Sequence, residues 1–337
     1  MRSRWNGAAD IAPTDVHAEL SSHRTPAPQY ASGLPREILF VRPGSGAYSA
    51  GMSSLPPVTV MAELCQNVAH VMNTTAYLPY REPTSDISEF DRRHGTSDVV
   101  DPLLTAHRMA RFLLVGAGDL VYSIGQLLAL EEPMVISPAV LARTVAEYCG
   151  RVKYLSEAED TPEKRIAKLL KVLDGGLQRA GLDALGADAG MVETARGLDR
   201  WRSRNTLPRV PKPNYDKLVA ALSPAMGITE YNSLSRLVHA DALAVTGAYL
   251  STVTGHPRRA ADSWRHALFA TECGLLAAAH VCFLRQGDKQ PIAACLTTFR
   301  AAAQTYDDYL TDLAGEDEIF TPARPDDQPG GTVAAPN

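Results

Sequence analysis

The chain has 337 residues, 45% of them hydrophobic and 21% charged, with a formal net charge of −5 at pH 7. That length and apolar share suit one large domain or two small ones with a sizeable core, and the acidic balance excludes a chain-wide basic footprint for nucleic acid while leaving a local patch open. Five cysteines, odd in number and without a C-x-x-C pair, exclude a disulfide scaffold and a zinc knuckle, so a reducing, cytoplasmic setting is expected.

Residues 1–57 are rich in proline, glycine and serine and read as an irregular N-terminal arm, with a short strand signal at Ile38-Leu39-Phe40-Val41. No apolar leader core follows Met1, and no run of about 18 apolar residues occurs, so neither a secretory signal nor a membrane span is expected. Met61, Leu64, Val68 and Val71 step by three and four residues, which predicts a helix. Pro79 to Pro102 is polar and irregular, and Leu103 to Leu130 is a long apolar helix. Ser137-Pro138 and Thr161-Pro162-Glu163 are helix start signals, for helices reaching about Leu155 and Gly181. Met191 to Asn205 is a shorter helix, broken by the proline-rich run Leu207 to Pro213. Thr229 caps a helix expected to continue through Tyr249, and Gly255-His256-Pro257 makes a turn. Arg258 to Arg285 and Pro291 to Leu313 complete the set, and residues 315–337 read as a disordered tail.

Period-two runs, Asn-Gly hairpins and β-α-β alternation are missing. The expected fold is therefore all-α: one multi-helix bundle of roughly seven to nine helices over residues 58–314, with the irregular arm before it and the tail after it.

Two polar stripes carry the candidate site. Tyr231, Ser235 and His239 stand at i, i+4 and i+8, on one face of a helix beside Leu234 and Val238. His239 is the candidate acid, base or ligand, with Ser235 and Tyr231 orienting it; the plainer alternative is a hydrogen-bond network fixing helix register. Arg143, Glu147 and Arg151 repeat the same spacing on another helix. Alone they read as an ion-pair ladder; across two packed helices Glu147 would pair with His239. Arg259, His266, Cys273 and His280 are spaced by seven, which puts about 10.5 Å between successive members, too far to share a metal. No Glu-x-x-His or His-Glu-x-x-His motif occurs, so neither metal nor cofactor is expected. Gly116-Ala-Gly118-Asp119 lacks a third glycine and lies inside an apolar helix, so it reads as close helix packing rather than a dinucleotide loop. The most basic stretch holds Arg196, Arg200, Arg202, Arg204 and Arg209 around Trp201.

The stretch Leu141-Ala-Arg143-Thr-Val-Ala-Glu147-Tyr-Cys-Gly-Arg-Val-Lys-Tyr154-Leu155 resembles the R-x-x-x-E helix of HEPN-like helical proteins of the DUF5677 kind. Thr161-Pro162-Glu163-Lys164-Arg165 resembles their next helix start, and Tyr231-x-x-Leu234-Ser235-x-x-Val238-His239 is similar to their later helix. The resemblance covers roughly residues 105 to 250 and implies a HEPN-like bundle, often dimeric. HEPN ribonucleases carry an R-x(4–6)-H motif. Arg236 and His239 are separated by only two residues and depart from it. Arg259 and His266 fit it, but with 26 arginines and nine histidines roughly two such matches arise by chance.

Three functions follow as expectations. The first is a regulatory or interaction module, related to defence or stress, working as a homodimer or with a protein or small-molecule partner. The second is a ribonuclease with a displaced Arg/His site; RNA is the less favoured partner. The third is a small-molecule tailoring enzyme of specialised metabolism with its pocket at Glu147 and His239.

Overall fold

The computed structural model describes residues 57–319 except 131–133, 180–188, 225 and 254–257. The arm before Pro57, its strand signal and residues 320–337 lie outside the described residues. The helices are α1 (Pro57–Ala76), α2 (Ile87–His94), α3 (Pro102–Leu128), α4 (Ile136–Leu155), α5 (Pro162–Arg179), α6 (Ala189–Arg204), α7 (Tyr215–Leu222), α8 (Gly227–Val238), α9 (Ala242–Val253), α10 (Arg258–Leu284) and α11 (Gln290–Ile319). No strand occurs among the described residues, so the chain is an all-α multi-helix bundle.

Four helices form the centre: α1 packs on α3, α3 on α4, α4 on α10 and α10 back on α1. Leu64, Val68 and Met72 of α1, Leu114, Val121 and Ile124 of α3, Val145 and Cys149 of α4, and Phe269, Cys273 and Val281 of α10 are all fully buried there. Small residues let these axes approach. A Cβ on Gly125 would stand 2.8 Å from Cys65 Cβ and 3.1 Å from the Ala62 carbonyl oxygen, so α3 meets α1 without a side chain between them. Gly118 faces α1 and Gly116 faces Tyr148 of α4, the close packing expected of that glycine pair. α3 and α10 are long and apolar enough to cross a membrane by length and composition. The α10 window is 83% buried inside the bundle, and a helix enclosed on every side is apolar all round for that reason alone.

The other helices pack on this centre. α11 lies on α1 and α10, α5 on α3 and α4, and α7 and α8 on α4. α2 falls in the stretch expected to be irregular. Asp86 caps it by accepting from the Glu89 N–H at 2.8 Å, and its Asp91 carboxylate caps α3 from outside, accepting from Leu103 N and Leu104 N at 2.7 and 3.1 Å. α7 was likewise not expected; Asn214, directly after the proline run, caps it through Lys217 N at 3.0 Å. Thr161 performs as its start signal predicts, accepting from Lys164 N at 3.3 Å. Ser137 does not: α4 begins at Ile136, two residues before the start that a Ser137 cap would give, with Val135 at the N-cap and no side-chain bond.

The helix expected to run from Thr229 through Tyr249 is two helices. α8 stops at Val238, Ala240 takes a positive φ of 54°, and Asp241 caps α9 by accepting from Ala244 N at 3.0 Å. An aspartate with both a chain reversal before it and an N–H to accept three residues later is a strong restart signal. α11 runs on to Ile319, into the segment expected as tail.

Candidate functional site

The two polar stripes do meet. α4 presents Arg143, Glu147 and Arg151 on one face, and α7 and α8 lie across it. Glu147 Oε1 lies 3.2 Å from Arg143 Nη2 and accepts from the Tyr231 hydroxyl at 3.2 Å, while Oε2 is 3.7 Å from Arg151 Nη2. Arg143 Nε donates to Ser235 Oγ at 3.1 Å, and Ser235 Oγ donates to the Tyr231 carbonyl at 2.8 Å. Arg151 Nε donates to the Tyr215 hydroxyl at 2.8 Å, and its guanidinium lies 4.9 Å from the Tyr215 ring centre. Burial, and then the Glu147 charge, push the Tyr231 phenol up to about 12. Tyr231 therefore keeps its proton at neutral pH. Both Glu147 oxygens face donors or cations. This arrangement can hold three helices in register, and it leaves little free chemistry on any of its groups.

His239 is not part of it. It is the C-cap residue of α8, its side chain is exposed, and its backbone N–H donates to Ser235 O at 3.0 Å. The expected pairing of Glu147 with His239 is corrected: the i+8 position falls beyond the last helical turn, so the stripe ends at Ser235. Arg236 turns to Asp241 at 3.2 Å, away from any partnership with His239.

The seven-residue stripe on α10 does not converge either. The Arg259 side chain lies outside the described residues. Cys273 is buried and its thiol is pushed well up by burial, while burial pushes His280 down to about 4. His266 finds a partner that sequence spacing did not show. Its Nδ1 is 2.8 Å from Oε1 of Glu230, a carboxylate only 1% exposed. Arg265 pairs with the other Glu230 oxygen. Burial pushes this carboxyl up, but the His266 hydrogen bond and the neighbouring Arg265 guanidinium outweigh it and hold it below its ordinary value.

A deeper polar centre was also missed. The segment after α1 inserts Glu82 between α3 and α5. Glu82 Oε2 is 3.0 Å from His107 Nε2 and 3.0 Å from Arg165 Nε, and Oε1 is 3.2 Å from Arg165 Nη2. Arg285, in the turn directly after α10, closes the other side, donating to the carbonyls of Ala76 at 2.9 Å, Leu78 at 3.1 Å and His107 at 3.2 Å. On α10, Glu272 accepts from Ser223, and burial pushes its carboxyl up. Each pairing joins residues far apart in sequence, and a single sequence carries no signal for such pairs.

The basic stretch on α6 is largely neutralised. Arg200 pairs with Asp98 at 2.6 Å and Glu193 at 2.8 Å, and Arg202 pairs with Asp174 at 2.8 Å. Trp201 is buried and donates its indole N–H to the His94 carbonyl at 2.8 Å, so it cannot stack on a nucleic-acid base. Among the described residues no group of three or more His, Cys, Asp or Glu could hold a metal. Compared with protein-family models, with curated proteins and with solved structures, the chain matches none.

Proposed function

We propose that this chain is a HEPN-like helical module that acts by association, as a homodimer joined through α9. One observation carries the reading: α9 is uncharged along its whole length, ALAVTGAYLSTV, and stands largely outside the bundle. Leu243 is 79% exposed and Tyr249 61%, and Ile228 at the start of α8 adds a further 53% exposed apolar side chain. A twelve-residue helix gains little from its own hydrogen bonds. Leaving Leu243 and Tyr249 in water forgoes about 1.5–3 kcal/mol for each large apolar side chain that could be buried.

An uncharged face selects an uncharged partner. A second copy presents the same face, and a two-fold axis sets the two against each other without like-charge repulsion. Gly247 suits the seam, because a Cβ there would meet nothing within 4 Å in one subunit. The α4–α8 network is assigned a supporting role, fixing α8 and so the base from which α9 springs. Light scattering of the wild-type chain and of Leu243→Glu tests this. A dimer that becomes a monomer with unchanged circular dichroism supports it. A wild-type chain that is monomeric at every concentration overturns it.

A further inference from the structure

We propose that the cleft between α5 and the segment leaving α6 binds a small organic anion, an acidic head group on an apolar body. The cleft encloses about 430 Å³, the lower half of the range common for small-molecule sites. Lys171, Arg202 and Arg209 line it together with Leu170, Leu207 and Val210, and no described carboxylate does. Lys171 and Arg209 thus bring positive charge into one concavity of a chain whose net charge is −5, beside Arg202, whose own charge is balanced by Asp174 and Asp199. A cleft with low-dielectric walls focuses such a field onto an incoming anion.

The donors are available. Arg202 is anchored from behind, Nη2 on Asp174 at 2.8 Å and Nη1 on Asp199 at 3.5 Å. A guanidinium has five N–H groups, so others stay free for a ligand while the anchors fix its position. Neither Lys171 nor Arg209 has an ion pair among the described residues. The apolar share of the lining gives the ligand's body a surface to cover. The adjoining segment is held in place: Asn205 Nδ2 donates to the Trp201 carbonyl at 2.9 Å, and the Tyr154 hydroxyl donates to Pro211 O.

A small ligand fits better than a nucleic acid. Trp201 is buried, and Arg200 is already paired with carboxylates, so nothing continues the cationic track beyond the cleft. The site is separate from α9 and stands whether or not the chain dimerises.

Calorimetric titration with phenyl phosphate and phenylacetate tests the proposal, with inorganic phosphate, phenol and a short oligouridylate as comparison probes. Both aromatic anions should bind, more tightly than phosphate or phenol alone, and salt should weaken them. Lys171→Ala and Arg209→Ala should each weaken binding about tenfold, with unchanged thermal melting because both residues line an open surface. Arg196→Ala, outside the cleft, should change nothing. Absence of binding, or full affinity in the Lys171→Ala/Arg209→Ala double variant, would overturn the assignment. So would oligouridylate binding more tightly than either aromatic anion and losing affinity in the same variants.

Discussion

The carboxylate of Glu82 and the guanidinium of Arg165 meet in a two-pronged pair, at 3.0 and 3.2 Å, with both side chains fully enclosed. Removing either partner strands a charge in the interior. Glu82→Gln should cost about 3–5 kcal/mol of stability, read from urea unfolding. Replacing both, as Glu82→Leu with Arg165→Met, should recover part of that loss, because no charge is then left alone. A loss under about 1 kcal/mol for Glu82→Gln would mean the charge is reached by water.

Acid should loosen the same centre. Burial pushes His107 below its ordinary 6.5, against the pull of the Glu82 hydrogen bond, and burial pushes His280 down to about 4. Both rings titrate lower in the folded chain than in the unfolded one, so folding favours their neutral forms. The stability they contribute is complete above about pH 6.5 and is lost as pH falls below it, the His280 share down to about pH 4. Glu82, held below its ordinary 4.5, adds a further loss at lower pH still. Melting temperature should fall across this window, and His280→Gln should flatten the fall. A profile that rises as pH drops from 7 to 5 would contradict the assignment of neutral rings.

The α4–α8 network makes a contrast between its members. Glu147→Ala removes the acceptor of Tyr231 and the partner of Arg143, and should cost about 1–3 kcal/mol. Tyr231→Phe should cost about 1 kcal/mol. His239→Ala, at an exposed helix end, should stay within about 0.5 kcal/mol. Equal losses at Glu147 and His239 would restore the pairing that the structure does not form.

Two glycines should respond in opposite directions. Gly125→Ala forces α1 from α3 at a backbone contact and should cost about 1–3 kcal/mol. Gly247→Ala meets open space and should stabilise a single subunit by about 0.4–1 kcal/mol through the unfolded chain. Thermal unfolding at low protein concentration separates them.

What sequence could show depended on the range of the interaction. Thr161-Pro162 marks the start of α5, and the apolar periods of α1, α3 and α10 are local, so they could be read directly. The i, i+4 spacing of Arg143 with Glu147 and of Tyr231 with Ser235 identified two faces that do meet. The same spacing over-reached at His239, because the break is set by the backbone at Ala240 and the cap at Asp241, two residues that periodicity does not weigh. α2 and α7 are eight residues each and were hidden among prolines and charges; their caps, Asp86 and Asn214, were the available signals. Glu82 with Arg165 and Glu230 with His266 were not legible, since their partners lie 83 and 36 residues apart. Trp201 stands among arginines in the sequence, and its burial, which that neighbourhood does not signal, follows from the Phe90 and Ile166 cluster it completes.

Amide hydrogen exchange across α9, measured over a series of protein concentrations, tests the central claim most directly. If α9 is the seam between two copies, protection of residues 242–253 rises with concentration and collapses in Leu243→Glu, while protection of α10 stays constant. If α9 exchanges at the same fast rate at every concentration, the helix is not covered by a second copy and association through it is wrong.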